Sequence, residues 1–193
     1  MKSFKQFCEK SLTNDRLKTV VVSFGRMNPP TIGHLKLMNA IVTTAKKYNG
    51  EAQLYLSHSQ DSKKNPIDYN TKLKFVKKLA PSGLKVVDSP VINIFQLMKI
   101  LLKTYQRIII VTGSDNISEY QGIAQFHAKD DIEVEVVSAG ERDPDADGAE
   151  GMSATKMRQA VINNDYKSFK MGTGLNDRDS QELFYTVKKG MEL

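Results

Sequence analysis

The chain has 193 residues, a formal charge of +6, 40% hydrophobic and 26% charged residues, which suits one α/β domain with a short appendage and a proper core. No apolar run approaches the ~20 residues that span a bilayer, and the N-terminus lacks the long apolar core and small-residue cleavage site of a secretory signal, so neither membrane nor export is expected. Cys8 is the only cysteine, which excludes an internal disulfide and fits a reducing, cytoplasmic setting. In chain order, Thr19 to Phe24 is short, β-branched and closed by Gly25, which predicts a buried strand. Ile32, Leu35, Met38, Ile41, Val42 and Ala45 repeat at three and four residues, which predicts a helix from Ile32 to about Tyr48, with Thr31 as its N-cap and Gly50 just past its end. A strand at 52–56, a polar loop at 57–66 and a lysine-rich helix at 68–79 follow, and Pro81-Ser82-Gly83 breaks that helix. Next come a strand at 84–87, a helix at 92–105, the most strongly β-patterned strand at 107–112, a weak helix at 117–127 and a strand at 132–137.

Strand and helix alternate four or five times. That pattern predicts a Rossmann-like, doubly wound parallel sheet of about five strands with helices on both faces. The pattern divides the chain into an N-terminal arm at 1–17, an α/β core at 18–151 and a small helical C-terminal segment at 152–193. Asp179 with Glu182 three residues on is the expected start of the last helix. Ligands of such sheets bind at the C-terminal strand ends, here after Phe24, Leu56, Thr112 and Val137. The loop at 139–151 is long, acidic and glycine-bearing, a candidate mobile lid.

Charge is unevenly spread. Seven lysines lie between Lys63 and Lys85 with Asp68 as the only acid there, whereas Glu141 to Glu150 holds five acids against Arg142. A basic chain suits nucleotides, phosphates or nucleic acid, but a uniform nucleic-acid coat does not reverse sign in this way, so nucleic acid is not the expected partner.

Three constellations fall at strand ends. The first is Gly25-Arg26-Met27-Asn28-Pro29-Pro30-Thr31-Ile32-Gly33-His34. Its prolines stiffen a turn, Gly33 admits a close ligand, and His34 stands in a first helical turn, where backbone N–H groups and the helix dipole favour an anion. The second is Gly113-Ser114-Asp115-Asn116, which suits a ribose or base contact and is equally ordinary turn chemistry. The third is Gly151 to Arg158. Ser153 reads as an N-cap there, and hydroxyls with Arg158 one turn on make a phosphate clamp; plain capping beside a solvated arginine is the alternative.

Together these segments resemble the nucleotidyltransferase superfamily over about residues 18–165. Residues 25–34 resemble its (H/T)xGH motif, Met152-Ser153-Ala154-Thr155-Lys156-Met157-Arg158 its ISSTxxR motif, and Gly113-Ser114-Asp115 its GxD element. The Gly-Arg opening and Asn-Pro-Pro turn look nearest to nicotinamide-mononucleotide adenylyltransferases. The resemblance implies an enzyme that transfers AMP or CMP from a nucleoside triphosphate to a phosphorylated acceptor, with pyrophosphate as product and Mg²⁺ carried on the triphosphate. It implies that His34 holds the triphosphate and stabilises the transition state, with Thr31 in the place of a first histidine. Ser153, Thr155 and Arg158 grip the β- and γ-phosphates, and Asp115 sits by the ribose or acceptor. Gly25, Arg26, Met27, Gly33 and Gly113 complete the nucleotide site, and Lys63, Lys64 and Asn116 are candidates for the acceptor or a phosphate. Met27 stands where relatives usually have an aromatic residue, and Ala154 where they often have serine.

Phosphopantetheine, a phosphorylated alcohol or a flavin stay open as acceptors. A nucleotide-binding module without turnover, structural or capsid-associated, is the alternative of another class. Met1 to Glu9 resembles the capsid-targeting peptides of tailed-phage internal proteins, which would make the host cytoplasm the setting; an ordinary amphipathic arm is the other reading. Many members of the superfamily are oligomeric, so a homo-oligomer is one expectation.

Overall fold

The computed structural model describes residues 17–127, 132–140 and 151–193. The N-terminal peptide and most of the acidic 139–151 loop lie outside the described residues. Strands β1 (Thr19–Gly25), β2 (Glu51–Leu56), β3 (Lys85–Val86), β4 (Arg107–Thr112) and β5 (Glu133–Ser138) form one sheet in the order β3-β2-β1-β4-β5. Every pairing is parallel. The order reverses between β1 and β4, which makes their C-terminal ends the switch point where α/β sheets hold ligands.

Alternation along each strand explains the two covered faces. Val21, Leu54, Ile109 and Val111 face one way, against Met38, Ile41, Val42 and Ala45 of helix α1 (Ile32–Lys47) and Leu73, Val76 and Leu79 of α2 (Tyr69–Leu79). Val20, Val22, Tyr55, Ile108 and Ile110 face the other way, against Leu97, Met98 and Leu101 of α3 (Ile94–Leu101) and Ile123 of α4 (Ile117–His127). The expected doubly wound α/β sheet is therefore the observed fold.

Three helices follow: α5 (Ala154–Ile162), α6 (Tyr166–Thr173) and α7 (Asp177–Gly190). They share a third cluster in which Met157, Val161, Phe169, Leu183, Phe184 and Val187 pack on Ile67 and Phe75 of the core. Ion pairs from Lys74 to Glu182 and from Lys78 to Asp179 add a polar seam between α2 and α7. Part of the lysine run thus docks the C-terminal helices. Gly190 lies against Pro66; a Cβ there would stand 1.8 Å from the Pro66 carbonyl oxygen. Among the described residues, no helix is long and apolar enough to cross a membrane.

Several expected details shift. Asp179 does not start the last helix. Asn176 is the N-cap of α7, accepting the Asp179 N–H at 2.9 Å while its own amide donates to the Asp179 carboxylate. At the end of α1 the left-handed residue is Asn49 (φ 50°); Gly50 matters instead because a Cβ there would lie 2.9 Å from Thr19 Cγ2. The predicted 92–105 helix is shorter, because Asn93 caps it by accepting the Gln96 N–H and the chain turns after Leu102.

Candidate functional site

β1 ends in a turn whose backbone is unusual. Met27 has φ 43° and is buried, and the Asn28–Pro29 peptide is cis. A non-glycine residue with positive φ is uncommon and costs of order 1 kcal/mol or more, and such conformations concentrate at functional sites. Packing of Met27 in the first core cluster holds it there.

The turn feeds α1 through Thr31, its N-cap. The Thr31 N–H donates to His34 Nδ1 at 2.9 Å, and the Thr31 hydroxyl lies 2.9 Å from the same nitrogen. Nδ1 therefore carries a lone pair, and the neutral imidazole bears its hydrogen on Nε2. Thr31 is fully buried and His34 half-buried. The threonine thus orients the histidine and fixes its tautomer, a function that a side chain with no titrating group can perform. Gly33 occupies the second position of α1 and Arg26 is exposed at the mouth of the turn.

α5 begins against this turn. Ser153 caps it by accepting the Lys156 N–H at 3.0 Å, as expected. Arg158 reaches across: one terminal nitrogen donates to the Asn28 carbonyl at 2.8 Å, the other to the Thr155 hydroxyl at 3.1 Å. Asn28 and Arg158 are 130 residues apart in sequence, yet this contact ties the second turn of α5 to a carbonyl three residues before the Thr31 cap of α1. Burial, then the charge of Arg26, push the Arg158 guanidinium below its ordinary value, and Asp61 opposes them. Two arginines and one carboxylate thus share a neighbourhood at the sheet's switch point.

Asn28 is the hub. Its amide donates to the Ile67 carbonyl at 2.8 Å and accepts the Ile67 N–H at 3.1 Å. Beyond β2, the loop between Ser57 and Asp68 is held to the β1–α1 turn by this pair. Asp61 shapes the loop's tip: its carboxylate accepts the N–H of Lys63 at 2.9 Å and of Lys64 at 2.6 Å, together with the Asn65 side chain. Those bonds hold its pKa at about 2. The Lys63 and Lys64 amides are therefore already engaged, and what these exposed residues offer a ligand is their ammonium groups.

On the other side of β1, Gly113 precedes a single 3-10 turn, Ser114–Asn116, in which Asp115 and Asn116 are exposed. A Cβ on Gly113 would meet nothing within 4 Å, so the fold itself does not demand a glycine there. Tyr120, one turn into α4, donates to the Phe24 carbonyl at 3.1 Å, and burial raises its pKa.

The structure therefore brings Arg26, Thr31, His34, Thr155 and Arg158 to one turn system, with Asp61 close enough to act on Arg158. Asp115 and Asn116 stand at the same sheet end, in the turn just past the neighbouring strand β4. Sequence reasoning missed the work of Asn28, Asp61, Lys72 and Tyr120. Lys72 alone left a signal, since it falls on the inward 72, 75, 76, 79 stripe of α2. A groove bordered by Val42, Lys46, Asn49 and Gly83 opens at the opposite end of the sheet and holds none of these residues.

No protein-family model matches the chain, and no curated protein matches it. Among solved structures, it is similar to Thermotoga maritima TmcAL in an apo crystal form, with 12% identity, a TM-score of 0.57 and coverage of 90% of this chain. A macrolide-efflux protein from Streptococcus pneumoniae matches at 18% identity and a TM-score of 0.45 over 80% of this chain. The chain spans 58% and 55% of those two proteins respectively. At 12% identity the likeness to TmcAL shows the fold alone: a five-stranded, all-parallel Rossmann-like sheet flanked by helices.

Proposed function

We propose that the chain is a nucleotidyltransferase that moves AMP or CMP from a nucleoside triphosphate to a small phosphorylated acceptor, with nicotinamide mononucleotide the foremost candidate. The observation that carries this reading is the pair of bonds from Arg158 to the Asn28 carbonyl and the Thr155 hydroxyl. It brings the start of α5 against the turn that presents His34. Two helix N-termini and two guanidiniums facing one region favour a polyphosphate.

The reaction is an in-line attack of an acceptor phosphate oxygen on the α-phosphorus, with departure of pyrophosphate. It needs placement and charge neutralisation more than a covalent nucleophile. His34 Nε2–H donates to the phosphate that develops charge. Arg158 and the Thr155 hydroxyl take the β- and γ-phosphates. Ser153 spends its acceptor capacity on the cap and keeps its O–H to donate. Arg26, Lys63 and Lys64 supply further positive charge, and Asp115 and Asn116 flank the ribose or acceptor. Mg²⁺ enters as part of the substrate, on the triphosphate.

The test is pyrophosphate release from ATP and CTP with nicotinamide mononucleotide, phosphopantetheine, glycerol phosphate, phosphocholine and flavin mononucleotide as acceptors. Acceptor-dependent release supports the proposal and names the substrate. Triphosphate binding without release from any pair would make the chain a binding module instead.

A further inference from the structure

Lys72 lies in the first turn of α2 and is fully buried. Its ammonium donates to the Ser57 carbonyl, and the Ser57 N–H in turn donates to the Gly25 carbonyl at 2.9 Å. The cation therefore sits one residue beneath the glycine that opens the β1–α1 turn. No described carboxylate lies within ion-pairing distance of it. Asp68, one helical turn upstream, spends its carboxylate on the Thr71 N–H at 2.9 Å and the Thr71 hydroxyl at 2.6 Å. The hydroxyl of the same Ser57 is buried and has no hydrogen-bond partner among the described residues.

A buried cation without a counter-ion is costly, and an apolar side chain of similar volume is often the more stable choice. Phe75, Val76 and Leu79 on the same stripe show what the packing alone calls for. A feature that costs stability beside a ligand site is accounted for when the ligand supplies the missing charge.

We propose that Lys72 is an electrostatic positioning residue, the buried counter-charge beneath the β1–α1 turn for an anion held by Arg26, His34 and Arg158. This rests on the polyphosphate site of the preceding subsection. Its ammonium does not touch the ligand. It acts through the Ser57 and Gly25 backbone and across an interior of low dielectric, where a charge is felt further than in water. Burial lowers its pKa to about 8, with Asp68 opposing, so the charge is present near neutrality and lost in mild alkali. The other charged and titratable groups of this region are Asp68 on its own helix, Tyr69 stacked on His58 next to Ser57, and Arg26, His34, Asp61, Lys63, Lys64 and Arg158 around the turn. All of these are common to the wild-type chain and both variants, so what they contribute cancels in a ratio of Kd values.

The experiment compares the full chain with Lys72→Met and Lys72→Gln, using inorganic tripolyphosphate as the probe. Melting temperature is read without ligand, and Kd by calorimetry between pH 7.5 and 9.5. Dividing each variant's Kd by the wild-type value cancels the probe's own ionisation. Expected are a Lys72→Met protein that melts no lower than wild type and a Kd ratio of about 10 at pH 7.5 for both variants, on the scale of one charge in a weakly screened site. The ratio should fall towards 1 by pH 9.5. Gln keeps a donor for the Ser57 carbonyl, so wild-type affinity in Lys72→Gln would assign the effect to that hydrogen bond and overturn the proposal. A ratio within twofold of 1 at pH 7.5, or one flat in pH, overturns it as well. Absence of any tripolyphosphate binding by the wild-type protein overturns the polyphosphate site itself and this inference with it.

Discussion

Replacing Asn28 with alanine tests the hub on which the site is assembled. The Asn28 amide makes two hydrogen bonds, at 2.8 and 3.1 Å, to the carbonyl and N–H of Ile67. Both residues are nearly inaccessible, at 2% and 1% exposure, so water cannot replace what is lost. Each buried backbone group left unpaired costs about 1–3 kcal/mol. Two of them predict a loss of roughly 2–6 kcal/mol, a large share of the ~5–15 kcal/mol that separates folded from unfolded domains. At ~2–4 °C per kcal/mol for a chain of this size, the melting temperature should fall by about 10 °C. Urea unfolding with an unchanged slope gives the free energy directly. Amide exchange should show the loss concentrated at the loop after β2. Asn28→Asp adds a sign: its carboxylate repels the Ile67 carbonyl at pH 7, and its protonated form can donate to that oxygen, so the defect should shrink as pH falls. A loss under 1 kcal/mol in Asn28→Ala, or exchange unchanged at residues 57–67, would refute the bracketing role.

Three further outcomes follow from the geometry. His34→Ala should lose on the order of 10²–10⁴ in kcat if His34 stabilises the transferred phosphate; full turnover in a variant shown to be folded by its melting transition removes it from the chemistry. Gly190→Ala forces a Cβ to within 1.8 Å of the Pro66 carbonyl and should destabilise by about 1–3 kcal/mol or more in urea unfolding, whereas a neutral effect would show that α7 is not seated on that loop. Asp61 has a folded pKa of about 2, depressed below the ordinary ~3.9; its contribution is present above pH ~4 and is lost as pH falls from there through 2. Amide protection at Lys63 and Lys64 should follow that window and be missing at pH 7 in Asp61→Ala; loss near pH 6 in the wild-type chain would contradict the assignment.

The fold was largely legible because its signals are local. The continuous β-branched run of β4 and the three-and-four spacing of α1 each answer to one periodicity, and the strand–helix alternation leaves few topologies open. Thr31 and Ser153 were readable as caps because capping depends on residues within one turn. Long-range contacts were not readable. Nothing in a local window states that Arg158 ends on the Asn28 carbonyl, that Asn28 pairs with Ile67, or that Lys74 and Lys78 meet Glu182 and Asp179. Along the sequence the lysine run is only a local excess of positive charge; folding divides it among a buried cation at Lys72, a docking seam and the exposed tip at Lys63 and Lys64. Asp179 was misjudged for the same reason. Its spacing to Glu182 mimics a capping box, but Asn176 reaches the helix start first and Asp179 is drawn to Lys78.

In the proposed reaction one polyphosphate chain bridges the starts of α1 and α5. A crystal structure of the protein soaked with ATP or CTP and Mg²⁺ tests it most directly. Phosphate oxygens are expected within hydrogen-bonding distance of both His34 Nε2 and the Arg158 guanidinium, with the Thr155 hydroxyl on the same triphosphate. A nucleotide whose phosphates contact only one of the two helix starts, or that lies at the Val42–Gly83 groove, would contradict it.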